Sequence, residues 1–345
     1  RDRDVTGVQT CALPISWAMR ILVTGGAGFL GSHLCEKLLK NSYRVYCVDN
    51  LYTGSLKNIK KCLSERNLKD FYFLDMDVAD VNELDDIKFD LIFNLACPAS
   101  PIHYQRDPTY TFMTNILGAK ACLDLAKKNG CRVVQASTSE VYGDPLVHPQ
   151  PEEYFGNVST LGPRACYDEG KRGAETLFSD YRRKYGLNTG IFRIFNTYGP
   201  RMDANDGRVV SNFIVAALAD GPLTIQGDGN QTRSFCYVDD LIEAIYKFGF
   251  SDLQGPINLG NPGEFTIADL ASIICKKVGK GYVIHSPPAI DDPKQRKPDI
   301  TKAKSLLNWE PKIPLHDGLE KTIEYFRSVK CQKQTDVTAL SGASS

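Results

Sequence analysis

From Met19 onward the chain keeps two rhythms of apolar and polar positions. Short, almost wholly apolar runs such as "RILV", "YRVYCV", "FYFL", "DLIF" and "CRVVQAS" are rich in Val, Ile and aromatic residues, which marks strands buried on both faces. Between them lie longer stretches such as "FLGSHLCEKLLK", where apolar residues recur every three or four positions, as one face of a helix requires. Strand and helix in alternation predict an α/β fold, a doubly wound parallel sheet joined to a smaller mixed α/β unit. Residues 19–195 are expected to form the first unit and 196–330 most of the second, with the helix after "CYVDDLIEAI" returning to the first. Residues 331–345 are polar and aperiodic, the pattern of a mobile tail.

Residues 1–18, "RDRDVTGVQTCALPISWA", share neither rhythm and lack the layout of a signal peptide. "VTGVQTCALPI" resembles the in-frame translation of a sequencing-library adapter, so the native chain is expected to start near Met19. Basic and acidic side chains balance at 41 each, which removes the electrostatic argument for nucleic acid or an anionic membrane as the main partner. No apolar run reaches the roughly 18 residues of a membrane span. The eleven cysteines are scattered, without a C-x-x-C pair or a nearby His cluster, so no metal site is expected and the thiols read as reduced, buried groups of a cytoplasmic protein.

The chemistry begins in "MRILVTGGAGFLGSHL". Gly26, Gly28 and Gly31 match G-x-G-x-x-G between a strand and a helix, with Gly25 in addition. Such glycines give a tight turn, close backbone approach to a pyrophosphate and close packing of helix on strand, while the helix N-terminus offers unpaired N–H groups to phosphate. Asp49 closes the next strand, at the distance expected of a carboxylate that accepts from a ribose 2′-OH. The same charge repels a 2′-phosphate, so the pattern predicts NAD rather than NADP on a Rossmann sheet. Asp77, after the third strand, is a weaker candidate for the adenine end, because an acid in that position is often a helix cap.

"CRVVQAS" carries Ser137, Thr138, Ser139 and Glu140 to the carboxyl end of the sheet, where open α/β folds place ligands. Farther on, Tyr167 and Lys171 stand four apart and share a helix face. A phenol's ordinary pKa of about 10 is too high for a base at neutral pH, and a neighbouring ammonium is expected to lower it. Tyr167 is then the expected base toward a substrate alcohol, with Thr138 bonding the same oxygen. Arginines suit diphosphate and carboxylate because the planar fork bonds two oxygens at once, which makes Arg208, Arg233 and Arg296 candidates.

Glycine loop, Ser-Thr-x-Glu strand and Tyr-x-x-x-Lys helix together resemble the extended short-chain dehydrogenase/reductase family of sugar-nucleotide epimerases, dehydratases and decarboxylases. The blocks "ACPASP", "STSEVYGDP", "CYDEGKR", "RIFNTYGPRM", "DGRVVSNFI", "QTRSFCYV", "NLGNPGEFT" and "DDPKQRKPDI" resemble its decarboxylating branch, over Met19 to about Phe326. That resemblance implies UDP-glucuronate as substrate, NAD as cofactor and a homodimer built on helices starting near Pro108 and Pro163. It implies further cofactor contacts at Phe29, Leu30, Asn50, Thr53, Gly54, Val78, Leu95, Thr114 and Thr197. For the substrate it implies Ser139, diphosphate contacts at Asn196 and Arg233, Arg296 at the reacting end, and Tyr104 on a loop "PASPIHY" over the sugar. Dehydrating members place an aspartic acid where this chain has Ser139, a hydroxyl too weakly acidic to protonate a leaving group, which favours decarboxylation over dehydration. A nucleotide-sugar 4-epimerase, a 4,6-dehydratase and a non-catalytic NAD-binding regulator are the alternatives, the last opposed by Thr138, Tyr167 and Lys171 all being present. Met113 stands where relatives carry a lysine, which puts one contact with the substrate's negative end in question.

Overall fold

The structure is a computed structural model that describes residues 18–64, 69–287 and 295–342, so the expected leader lies outside the described residues except for its last one. The strands are β1 (Arg20–Thr24), β2 (Arg44–Val48), β3 (Phe71–Leu74), β4 (Leu91–Asn94), β5 (Arg132–Thr138), β6 (Thr189–Ile194), β7 (Thr197–Tyr198), β8 (Pro222–Gln226), β9 (Thr232–Ser234), β10 (Cys236–Tyr237), β11 (Ile257–Leu259), β12 (Glu264–Thr266), β13 (Tyr282–Ser286) and β14 (Gln295–Arg296). The helices are α1 (Phe29–Lys40), α2 (Leu56–Ile59), α3 (Pro101–Arg106), α4 (Pro108–Asn129), α5 (Ala165–Tyr185), α6 (Val209–Leu218), α7 (Val238–Gly249), α8 (Ile267–Val278), α9 (Thr301–Leu307) and α10 (Leu315–Gly342). Among the described residues the principal sheet has seven strands in the order β11-β6-β5-β4-β1-β2-β3, all paired in parallel.

The apolar runs form strands because helices cover both faces, and β1, β4 and β5 are buried almost throughout. One core packs α1 and α7 against one face; the other packs α4 and α5 against the opposite face. Polar side chains inside the sheet are paired: Thr24 Oγ1 donates to Asn94 Oδ1 at 2.7 Å, and Asn94 Nδ2 donates to Gln135 Oε1 at 2.7 Å. These bonds lace the ends of the three central strands, and the switch in strand order between β1 and β4 opens the crevice above them.

Local signals set the long helices. Asp107 caps α4 by accepting from the Tyr110 amide, Pro108 fills its first position, and Gly130 ends it in the left-handed conformation. Gly186 ends α5 in the same way. Lys171 and Tyr167 lie on the buried side of α5, facing β5.

Three smaller sheets, β10-β7, β12-β9-β14 and β13-β8, form the second unit. Chain order and space diverge here, because β11 joins the principal sheet beside β6 and α7 packs on α1. A cut at residue 195 therefore separates pieces that share one core. One expectation needs correction. "PASPIHY" is a helix from Pro101, not a loop, because Ser100 precedes a proline at the first helical position and the His103 and Tyr104 amides bond back to the Ser100 carbonyl. The last helix, α10, runs on to Gly342. No helix among the described residues is long and apolar enough to cross a membrane.

Candidate active site

A single cavity of about 1910 Å³ runs from the glycine loop to β14. Typical small-ligand pockets hold roughly 300–1,000 Å³, so there is space for a dinucleotide and a second ligand end to end. Gly25, Gly28, Phe29, Leu30, Asp49, Asn50, Thr53, Gly54, Val78, Leu95, Thr114 and Thr197 line its front. Tyr104, Thr138, Ser139, Glu140, Tyr167, Lys171, Asn196, Arg208, Arg233 and Arg296 line the rest. Asp77 does not. It caps the turn Val78–Glu83 through the Ala79 amide and accepts from Asn50 Nδ2 and Tyr110 Oη, so it holds the wall from behind.

The front is made by the backbone. Gly25 has φ of +67°, and a Cβ there would lie 2.9 Å from the Ala96 backbone. A Cβ on Gly31 would collide with the Gly25 carbonyl oxygen, so α1 can approach β1 this closely only through a glycine. Asp49 is buried, with Oδ2 accepting from the Ala27 amide and Oδ1 from the Leu51 amide, each at 2.9 Å. A Cβ on Gly54 would press within 2.5 Å of that carboxylate. The first amides of α1 have no partner inside the helix, and Thr114 Oγ1 is a buried hydroxyl without a partner in the cavity wall. Free amides for a pyrophosphate and a fixed carboxylate for a ribose fit a bound NAD.

At the middle, Thr138 ends β5 and its Oγ1 accepts from the Glu140 amide at 3.2 Å. Tyr167 is buried, and its ring stacks on Tyr104 with centroids 5.1 Å apart and planes 8° from parallel. The Tyr104 hydroxyl is buried without a partner, in the cavity wall. Lys171 Nζ donates to the Ala136 carbonyl at 2.9 Å and lies 5.8 Å from the Tyr167 ring centroid. The expected lowering of the phenol's pKa is absent here. Burial pushes Tyr167 well above its ordinary value, with the Cys97 thiol adding to the rise and a bond to Thr138 opposing it. Burial also weakens the hold of Lys171 on its proton. The reason is geometric: the ammonium is spent on a main-chain carbonyl and does not touch the phenol oxygen.

At the rear, Glu140 is clamped between two guanidiniums. Arg164 Nη2 donates to Oε2 at 2.6 Å, and Arg296 Nη1 donates to Oε1. Burial raises the Glu140 carboxyl, but Arg296 and Arg164 outweigh it, and the group is held below the ordinary carboxylate range. Register explains why Arg296 reaches this point: in the parallel β14–β9 ladder it stands directly beside Arg233, and both are buried. Arg233 donates to the Thr232 carbonyl, Arg208 donates to the Ala99 carbonyl at 3.0 Å, and the Asn196 carbonyl accepts from the Cys236 amide. Ser139 is buried beside Glu140, at the start of the turn Ser139–Tyr142.

Sequence reasoning missed Arg164 and Asp168. Arg164 sits three residues before Tyr167, a spacing that puts it over the same turn of α5. Asp168 is buried next to this cluster, its carboxyl raised to about 7 by burial and by Glu140, against relief from Arg164 and Arg296. Met113, conversely, is 40% exposed on α4 and outside the cavity wall. No group of three or more potential metal ligands occurs among the described residues.

The model of the NAD dependent epimerase/dehydratase family matches residues 21–260. UDP-glucuronic acid decarboxylase 5 of Arabidopsis thaliana is 51% identical over 313 residues, covering 90% of this chain and 89% of that protein. UDP-glucuronic acid decarboxylase 1 of Xenopus tropicalis is 51% identical over 309 residues, covering 89% and 72%. Among solved structures, UDP-glucuronic acid 4-epimerase of Bacillus cereus, in complex with UDP-4-deoxy-4-fluoro-glucuronic acid and NAD, superposes with a TM-score of 0.81 at 31% identity, covering 90% of this chain and all of that one.

Proposed function

The chain belongs to the NAD dependent epimerase/dehydratase family, and within it we propose that the protein decarboxylates UDP-glucuronate to UDP-xylose, with NAD as its cofactor. The observation that carries this reading is the pair of guanidiniums, Arg164 and Arg296, converging on Glu140, two residues after Thr138, in the cavity wall. A cationic pocket end suits a sugar with a C6 carboxylate.

Gly28, the first amides of α1 and Asp49 would hold the cofactor, which when bound supplies the acceptor and later the donor for the hydrogen at C4 of the sugar. In its phenolate form, which requires the Lys171 ammonium to turn from the Ala136 carbonyl toward the phenol oxygen, Tyr167 receives the proton of the C4 hydroxyl. A C4 carbonyl stands β to the C6 carboxylate. Thr138 and Tyr167 then hydrogen-bond the C4 oxygen while the C5–C6 bond breaks, carbon dioxide leaves and the electron pair passes into the enolate. A proton taken by C5 from water, the hydrogen restored at C4, and return of the proton from Tyr167 to the C4 oxygen complete the pentose. Glu140, held as an anion, is a poor general acid; its role is to hold Arg296 and Arg164 at the substrate's charged end. Arg233, Arg208 and Asn196 serve the diphosphate.

We also propose a homodimer through α4. Phe112, Met113 and Leu117 are exposed there on adjoining turns, and burying such a strip is favourable.

Incubating the NAD-loaded protein with UDP-glucuronate and following carbon dioxide and the nucleotide product tests the reading. UDP-xylose with stoichiometric carbon dioxide is expected. UDP-galacturonate without gas release would replace it by 4-epimerisation, and no turnover of either kind would leave a binding protein.

A further inference from the structure

Arg296 lies on the shortest kind of strand. The β14–β9 ladder is two residues long, pairing Gln295 with Thr232 and Arg296 with Arg233. Its side chain is tied at one end to Glu140, with a longer contact from Nη2 to the Gly143 carbonyl at 3.4 Å. Its Nε is buried without a partner. Something else must set where this guanidinium sits.

The main chain just after Arg296 is gripped by one fully buried residue, Gln150. Gln150 Oε1 accepts from the Lys297 amide at 2.9 Å, its own amide donates to the Lys297 carbonyl at 2.9 Å, and its carbonyl accepts from the Asp299 amide at 3.0 Å. Its Nε2 donates to the Val147 carbonyl at 2.8 Å, which fixes the side chain in this pose. Asn258 closes the clamp: Nδ2 donates both to the Gln150 carbonyl at 2.9 Å and to the Asp299 carbonyl at 3.1 Å, while Oδ1 accepts from Tyr142 Oη at 2.7 Å. Tyr142 belongs to the same short turn as Glu140. The segment carrying Glu140 and the segment carrying Arg296 are therefore bolted together behind the cavity by buried amides, and Gln150 does not itself line the cavity.

We infer that Gln150 is a positioning residue for substrate recognition, setting the place of Arg296 and through it the preference for a carboxylate on the sugar. The inference rests on the proposed role of Arg296 and deepens it. Buried side-chain amides that serve only packing would support the whole fold. Here the bonds fall on the residues following one arginine, where loss of register acts first on its guanidinium.

The test is a binding cycle in the full chain, NAD-loaded and carrying Tyr167→Phe so that turnover is slowed about 10³-fold during the titration. Dissociation constants for UDP-glucuronate and for UDP-glucose, which lacks the carboxylate, are measured by calorimetry in Gln150→Met, Arg296→Ala and the double variant. Gln150→Met is expected to weaken UDP-glucuronate about tenfold, the scale of one charge-assisted hydrogen bond, and UDP-glucose by less than about twofold. The double variant is expected to bind UDP-glucuronate no worse than Arg296→Ala alone, because the amide acts through the arginine. Gln150→Glu, which keeps an acceptor for the Lys297 amide, is expected to recover part of the loss. Multiplying effects in the double variant, or equal losses for both sugars in the Met and Glu variants, would overturn the inference in favour of a folding role. An Arg296→Ala protein with unchanged affinity for both sugars would instead sink the assignment of Arg296 on which it stands.

Discussion

The two ends of the cavity are built by different means. At the front, positions are set by main chain: glycines where a Cβ would collide, helix amides, and one carboxylate fixed by two neighbouring N–H groups. At the rear they are set by side-chain charge drawn from distant parts of the chain, with Glu140, Arg164 and Arg296 meeting across 24 and 156 residues. Front geometry is a local property of one strand–loop–helix passage. The Arg296 half of the rear exists only once β14 has paired with β9.

Tyr167 stands between the two ends, and Tyr167→Phe is expected to have the largest effect. General acid–base groups contribute about 10²–10⁴-fold, and no other described hydroxyl stacks on Tyr104 beside Thr138. The kcat for carbon dioxide release is expected to fall about 10³-fold while NAD and UDP affinities hold. A fall below tenfold would move the base elsewhere.

Glu140→Gln probes the rear alone. It removes the shared anion from two guanidiniums, and breaking a buried ion pair from one side costs about 3–5 kcal/mol. The kcat is expected to drop about 10²-fold, as a displacement of roughly 1 Å can cause, with a lower Tm and unchanged NAD affinity. Unchanged kcat would show that the clamp on Arg296 is dispensable.

Gly31→Ala probes the front alone. The new methyl would meet the Gly25 carbonyl oxygen and the Gly26 Cα, and overpacking costs about 1–3 kcal/mol. NAD affinity is expected to fall about tenfold, with UDP-sugar binding retained, both read by fluorescence titration. Equal losses for the two ligands would erase the distinction between the ends.

This difference in construction also explains what could be read along the chain. The strand, glycines, α1 and Asp49 were legible because each depends on its neighbours within a few residues, and Tyr167 with Lys171 because α5 repeats every three to four positions. The site residues expected along the chain line one cavity, with Asp77 just outside its lining as the cap of the turn after β3. Partners across the fold were not legible. Nothing near Glu140 in sequence announces Arg296, since register between β14 and β9 brings it there. The same blindness applied to the phenol, whose spacing from Lys171 is right although the ammonium is turned to Ala136. In the 196–330 stretch pairing overrides chain order, as β11 shows by completing the sheet begun by β1.

The smallest expected effect sharpens the electrostatic side of the comparison. Asp168 is buried against Glu140, one of its oxygens has no partner, and burial together with the Glu140 charge raises its carboxyl to about 7. In the unfolded chain an aspartate titrates near ~3.9. Between these values the folded state holds a proton that the unfolded state has released, so stability falls as pH rises. The contribution of neutral Asp168 is thus fully present below ~3.9 and lost as pH climbs through about 7. Asp168→Asn removes that slope, because a side-chain amide stays neutral at every pH in this range. Relative to the parent, the Tm of this variant is expected to be higher at pH 8 by about 2–4 °C, the shift that ~1 kcal/mol gives in a protein of this class, and the gap is expected to shrink at pH 5. A gap of the same size at both pH values would mean that the rear cluster carries its charges without help from Asp168 staying protonated.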